Sequence, residues 1–417
     1  MSFYLPSKGC LTGKRSIKGN FFELIYWYIP MKVIDDNFTG NTMPYLLTPG
    51  PLTTSPETKA AMLEDWGSWD SSFNVLTADI RRQLLAMAGA DPETFVCVPM
   101  QGSGTFAVEA TLASMTTESE PTLVLSNGAY GKRAVEILRY LGRDVQVMDK
   151  GDYLPPLPEE VDTWLTEHPE VVSVVLIHCE TSSGILNPLE AIASVVEKHG
   201  KRFIVDAMSS FGGVPIDLDQ VPLDALVSSA NKCIEGVPGF GFVIIRRCVL
   251  EASDGRSHSL SLDLHAQWAY MERTGQWRFT PPTHTVVAFH SALAQHRAEG
   301  GVAGRLARYS QNRDVLVSGM RHLGFQTLLN DAWLSPIITT FLSPDDANFD
   351  FKTFYAELKA RGFVIYPGKL TAVDSFRIGH IGQVNSRVMH ALLGAVEDSL
   401  NTMQVSCTSP AKSPQLS

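Results

Sequence analysis

Three features of this chain have the residue types and spacing to act together: a lysine at a strand end, a glycine-rich turn and a carboxylate. The lysine is Lys232, within "SSANKCIEGVPGFGFVII" (residues 228–245). The runs "DALVSSA" before it and "FGFVII" after it both read as short apolar strands. A lysine tied to the end of an interior strand is held in place and partly desolvated. Desolvation lowers an amine's pKa and makes it a candidate Schiff-base nucleophile. The plainer alternative is a solvated surface lysine, and this stretch alone leaves both open.

The turn lies in "VPMQGSGTFAVEATLAS", Val98 to Ser114. A strand runs into Gly102-Ser103-Gly104-Thr105, and a helix begins there. Glycines let the backbone approach an anion, and a helix N-terminus offers unpaired N–H groups and a favourable dipole. Ser103 and Thr105 add hydroxyl donors. The string also satisfies G-x-G-x-x-A, so a dinucleotide site competes with a single-phosphate cup. The dinucleotide reading wants an acidic residue at the end of the second strand. Here "TLVLS" ends in Asn127-Gly128, and no GK[ST] follows the glycines. A cup for one phosphate is preferred, with a plain tight turn as its alternative.

The carboxylate is Asp206 in "KRFIVDAMSSFGG", at the carboxyl end of an apolar strand, where open α/β sheets bind ligands. A turn or cap aspartate is its ordinary alternative. Lys232 follows 26 residues later, so both side chains can face one crevice. An anion cup, an amine and an acid for a ring nitrogen are what pyridoxal 5′-phosphate requires. Tyr130 of "SNGAYG" offers a flat partner for the ring, and a core tyrosine is the default. Arg377 of "SFRIGHIG" offers a planar fork for a carboxylate or phosphonate, against the alternative of a surface arginine. His178 and His284 pair with no nucleophile and read as structural.

The elements that position these residues follow an α/β pattern. "TFVCVPM", "TLVLSN", "DVQVMD", "VVSVVLIH", "RFIVDA", "DALVSS" and "FGFVIIR" read as strands, with helical stretches between several of them. That alternation predicts a largely parallel sheet covered on both faces. After about residue 300 the texture changes to a smaller α+β pattern. The expected organisation is an extension of unknown role at 1–42, a large domain at 43–300, a small C-terminal domain at 301–402 and a disordered tail at 403–417. The chain has 417 residues, 44% hydrophobic and 19% charged, with a net charge of −10. An acidic balance argues against nucleic-acid binding. "FFELIYWYIPM" is too short and too interrupted for a membrane span. The six cysteines show no metal-ligand spacing, and several lie in apolar runs, which points to a reduced cytoplasmic protein.

With these residues assembled, the chain resembles the fold-type-I, class V pyridoxal-phosphate aminotransferases from about Tyr45 to Leu400. The resemblance rests on "LLTPGPLT", "QGSG", "LSNGAYG", "ETSSGILNP", "IVDAMSSFGG", "SSANKCIEGVPGFGFVI", "SLDLHAQW", "WRFTPPTHT", "FVIYPGK" and "FRIGHIG", in that order. It implies that Lys232 holds the cofactor and shuttles a proton, and that Asp206 partners the pyridine nitrogen. It further implies that Ser103, Gly104 and Thr105 hold the phosphate, that Tyr130 stacks on the ring, and that Thr181 lies near the phenolic oxygen. Thr280 would reach the phosphate of a neighbouring subunit, implying a homodimer with shared sites, and Arg377 would bind the substrate anion. The substrates implied are a small amine and a 2-oxo acid. The stretches around Lys232 and "TPPT" look like the branch that moves an amino group from a phosphonate amine to pyruvate, in phosphonate metabolism. The alanine–glyoxylate and serine–pyruvate branches are the alternative.

Overall fold

The computed structural model describes residues 43–369 and 373–411. The expected extension at 1–42 lies outside the described residues, as does the end of the tail at 412–417.

All seven apolar runs singled out before residue 250 become strands of one sheet. In chain order they are β1 (Phe95–Gln101), β2 (Thr122–Ser126), β3 (Val145–Asp149), β4 (Ser173–Ile177), β5 (Arg202–Asp206), β6 (Ala225–Ser229) and β7 (Phe240–Arg246). Their order across the sheet is β1-β7-β6-β5-β4-β2-β3. Neighbours from β6 to β3 pair in parallel, and only β7 runs antiparallel, between β1 and β6.

Alternation along each strand divides the core into two layers. Leu123, Leu125, Leu176, Phe203, Val205 and Leu226 pack on one face. Val124, Val175, Ile204, Val227 and Val243 pack on the other. A sheet buried on both faces needs apolar side chains at every position, which explains the continuous rather than alternating hydrophobic runs. Polar caps start some of the flanking helices. Asp70 accepts from Ser72 N at 2.8 Å at the head of the Ser71–Met87 helix.

The C-terminal part has its own core. β8 (Ile338–Leu342) and β9 (Tyr366–Pro367) flank β10 (Ser375–Gly379) in an antiparallel sheet. Phe341, Phe354 and Phe376 fill the space beneath the Gly301–His322, Phe351–Ala360 and Ser386–Met403 helices. The fold is therefore α/β, with a mostly parallel central sheet and a small antiparallel C-terminal one. Tyr45–Leu46 pairs in parallel with Phe363–Val364, so the start of the described chain joins the C-terminal layer.

The expected tail disorder from 403 is corrected for residues 404–409. Asp346 accepts from the N–H groups of Ser406 and Cys407 at 2.8 and 2.9 Å, and Thr408 Oγ1 donates to Leu323 O. Composition signalled a solvated Ser/Pro segment. One aspartate collecting several backbone donors fastens it down instead.

Candidate active site

Because β1, β2, β4, β5 and β6 are parallel, their carboxyl ends share one edge of the sheet. The turn after β1, the start of the helix after β2, the loop after β4, Asp206 at the end of β5 and Lys232 after β6 therefore converge there. This is the edge at which open α/β sheets bind ligands.

Lys232 is 9% exposed, and its Nζ donates to Pro49 O at 2.8 Å. Burial lowers its pKa to about 8, with help from the positive Arg133 and against the pull of Asp206 and two cysteines. Gly50 lies against this side chain. A Cβ there would stand 2.8 Å from Lys232 Cδ, and Gly50 has φ +108°, so glycine is required on both counts. Asp206 is also 9% exposed, and burial pushes its carboxyl up to about 6. Glu180 adds to that rise, while the Met208 N–H (2.9 Å), Lys232 and Arg133 oppose it. The amine and the acid are thus buried and electrostatically coupled without a direct hydrogen bond.

Ser103 caps the Gly104–Met115 helix, yet its hydroxyl makes no capping bond and stays available. Thr105 Oγ1 accepts from Arg133 Nη1 at 3.1 Å, which ties the cup to the Ala129–Tyr140 helix carrying Tyr130. Buried Glu180 accepts from the Tyr130 N–H at 2.8 Å and the Gly131 N–H at 3.3 Å, an anion at a helix N-terminus. A Cβ at Gly128 would meet the Glu180 side chain at 2.5 Å, so only glycine admits that carboxylate.

Arg377, in β10, crosses to the same edge. Its Nη1 donates to Thr181 O at 2.8 Å and its Nε to Pro367 O at 3.0 Å. Thr181 Oγ1 is buried without a hydrogen-bond partner. That hydroxyl is free to bond a ligand atom at this edge.

The structure thus brings Ser103, Gly104, Thr105, Tyr130, Thr181, Asp206, Lys232 and Arg377 to one edge. Thr280 is apart from them. It is exposed on the loop between the Leu264–Thr274 and Thr283–Ala298 helices and forms no hydrogen bond with the others. His178 is buried and pushed down to about 4, hence neutral, while His284 lies 3.1 Å from exposed Asp65. The residues fit pyridoxal phosphate: a buried amine, a buried acid, a free cap hydroxyl and an orphaned threonine hydroxyl lie at one edge of the sheet.

Sequence reasoning missed several residues here. Glu180 and Lys369 lie inside quoted motifs without a role, and Arg133 follows Tyr130 by three positions, one helical turn. Glu235 was also missed. It has φ +65°, and its carboxylate accepts from Tyr309 OH (2.6 Å), Gln383 Nε2 (2.7 Å) and Arg308 Nη2 (2.8 Å). Its own N–H donates to Lys232 O at 2.7 Å. Arg305 donates to Cys233 O, and Tyr309 OH lies 3.3 Å from the same carbonyl, so the loop carrying the lysine is pinned from beneath. A charged residue following "NKCI" was the available signal.

Comparison with known proteins places the chain in a family. The family described as aminotransferase class-V matches residues 71–368. The chain is 60% identical over 367 residues to a 2-aminoethylphosphonate–pyruvate transaminase of Rhizobium meliloti (strain 1021), covering 88% of this chain and 96% of the relative. It is 58% identical to 2-aminoethylphosphonate–pyruvate transaminase 1 of Paraburkholderia xenovorans (strain LB400), covering 88% and 94%. Among solved structures, an alanine–glyoxylate aminotransferase from Nostoc sp. superposes with a TM-score of 0.80 at 26% identity, over 88% of this chain and all of that one. Pyridoxamine–pyruvate aminotransferase from Mesorhizobium loti gives a TM-score of 0.80 at 24% identity, over 88% and 94%, and shares the fold.

Proposed function

The chain belongs to the pyridoxal-phosphate-dependent class-V aminotransferases, and on that footing we propose that it moves the amino group of 2-aminoethylphosphonate to pyruvate, giving phosphonoacetaldehyde and L-alanine. The observation that carries the substrate reading is the 60% and 58% identity, across nearly their whole length, to transaminases named for that donor and acceptor.

Ser103, the Gly104 N–H and Thr105 are suited to hold the cofactor's phosphate, Tyr130 to cover its ring, Thr181 to meet its phenolic oxygen and Asp206 to pair with its ring nitrogen. When bound, the cofactor supplies an aldehyde that condenses with amines and a ring that withdraws electrons from the neighbouring carbon. Asp206 keeps its negative charge above about pH 6 and so favours a protonated ring nitrogen. Lys232 Nζ takes a proton from the donor's nitrogen-bearing carbon, and later returns one to the corresponding carbon of the product alanine. A general base works best with a pKa near the working pH, and burial brings Lys232 down toward it. Arg377 has two donors fixed on backbone carbonyls, and Nη2 has no partner among the described residues. It is thereby pre-oriented to hold the anionic head of either substrate.

Thr280 extends from an exposed loop, which suits our reading that it completes the site of a second copy in a homodimer. Our division into domains at 43–300 and 301–402 is supported by a C-terminal core built largely from residues after 315, which Leu47 and Ile185 also join. Cys97, Cys179 and Cys233 are buried free thiols, which suits a reducing cytoplasm. No helix among the described residues is long and apolar enough to cross a membrane.

The test is steady-state turnover with paired substrates. The 2-aminoethylphosphonate–pyruvate pair should exceed alanine or serine with glyoxylate in kcat/KM. A preference for either glyoxylate pair would move the chain to the alternative branch.

A further inference from the structure

Lys369 follows β9 in the hairpin that carries Arg377. Tyr366 of β9 pairs with Arg377 of β10, and the Gly368 N–H donates to Ser375 O at 2.8 Å, so the residue that follows leaves the hairpin beside the arginine's strand. The Lys369 Nζ lies 4.8 Å from the centre of the Tyr130 ring. The guanidinium carbon of Arg133 lies 4.9 Å from the centre of the same ring. Burial lowers the Lys369 pKa, and Arg133 and Arg377 lower it further, so the three cations are close enough to repel one another.

None of the three forms an ion pair among the described residues. Glu180 attracts Arg377 and Lys369, and Asp206 lies near Arg133, yet neither carboxylate is bonded to them, and three cations grouped against two carboxylates favour an added anion. The three are not equivalent. Arg133 is bonded to Thr105 and faces the cup. Arg377 is 5% exposed and fixed by two backbone carbonyls. Lys369 makes no hydrogen bond among the described residues, and its ammonium, beside the Tyr130 ring, belongs to a side chain still open to solvent.

The two proposed substrates differ in charge. A carboxylate carries one negative charge, whereas a phosphonate, like a phosphate monoester, carries between about one and two near neutral pH, on three acceptor oxygens. One planar fork matches two oxygens and one charge. The third oxygen and the remaining charge call for a second, compact cation.

We propose that Lys369 is this second cation: it joins Arg377 on the phosphonate of the donor and is the residue that separates a phosphonate head group from a carboxylate. The proposal rests on the reading of the donor given above. Pyruvate and alanine, with a single charge, are served by Arg377 alone.

The test uses the holoenzyme with Lys369→Met and Lys369→Arg. Single-turnover kinetics are measured separately with 2-aminoethylphosphonate, L-alanine and pyruvate, and equilibrium binding with ethylphosphonate and propionate. Removing one charge-assisted hydrogen bond should weaken ethylphosphonate, and raise the half-saturating concentration of 2-aminoethylphosphonate, roughly 10- to 100-fold. Propionate, alanine and pyruvate should change less than about 3-fold, within the range of an exposed ion pair. Lys369→Arg should recover most of the loss. Equal weakening of phosphonate and carboxylate, or no weakening of either, overturns the proposal while wild-type turnover of the phosphonate amine leaves the donor reading intact. If the wild-type protein takes no amino group from 2-aminoethylphosphonate, the donor reading fails first and the proposal falls with it.

Discussion

The ammonium of Lys232 donates to the carbonyl oxygen of Pro49 at 2.8 Å, across 183 residues of sequence. The segment "LLTPGPL" thus holds the lysine in place, and Gly50 is the residue that lets the two approach. Lys232 is fixed from above by this carbonyl and from below by the Glu235, Arg305 and Tyr309 network. A proton shuttle must swing between two atoms without wandering, and this double restraint meets that need.

Lys232→Ala removes both the covalent tether and the shuttle. Borohydride should fix the cofactor on the peptide containing Lys232 in the wild-type protein and nowhere in the variant. Loss of general acid–base transfer alone is worth roughly 10²- to 10⁴-fold in rate. A variant retaining near-normal transamination would remove Lys232 from its role.

Burial of the amine and the acid predicts an opposed pH dependence in the cofactor-free protein. The folded pKa of Lys232, about 8, lies below its ordinary value of 10.5, so its protonated form is penalised. The penalty is full below about pH 8 and fades as pH rises toward 10.5, amounting to about 3 kcal/mol at most. Lys232→Met should therefore raise the melting temperature at pH 7, with a gain that shrinks by pH 10. Asp206 has a raised folded pKa of about 6, so the folded form binds more protons between pH 4 and 6 and loses stability as pH rises through that window. Asp206→Asn should abolish this fall. Thermal melts across the pH range check both signs.

The sheet was legible because its strands are buried on both faces and therefore appear as unbroken apolar runs. All seven runs proposed before residue 250 are strands of it. Lys232, Asp206 and the Gly102–Thr105 turn were legible because each follows such a run at the edge where parallel strands end. Glu180, Lys369 and Glu235 were not, because their positions depend on loop geometry and on partners distant in sequence. Glu180 joins the site through backbone donors of the Ala129–Tyr140 helix, and no residue pattern near 180 announces them. The pairing of Tyr45–Leu46 with Phe363–Val364 was hidden for the same reason.

Glu235→Gln tests the support beneath the lysine. The substitution keeps the shape but leaves buried Arg305 and partly exposed Arg308 with Glu299 as their remaining carboxylate. Breaking one partner of a buried pair costs about 3 kcal/mol. Denaturant melts should show that loss. Turnover at a temperature where the variant is folded should drop as well, because the peptide carrying Lys232 loses its anchor. Unchanged turnover in folded variant would confine Glu235 to stability.

Arg377 is expected to serve both substrates. Arg377→Ala should impair both half-reactions roughly 10- to 150-fold while leaving the cofactor's absorbance intact. Arg377→Lys should recover only part, since a point charge does not reproduce the fork. Rapid-mixing kinetics of each half-reaction, run separately, make the comparison. A loss confined to one of them would assign the other substrate's head group to a different cation.

This site removes an amino group from a phosphonate amine, using groups the chain itself holds in place. The most direct measurement mixes the purified, cofactor-loaded protein with 2-aminoethylphosphonate and no acceptor, and quantifies phosphonoacetaldehyde against active sites. One equivalent of phosphonoacetaldehyde should form per site, with a matching change in cofactor absorbance that pyruvate reverses. Absence of the aldehyde from a protein that releases an oxo acid from alanine or serine under the same conditions would contradict the account.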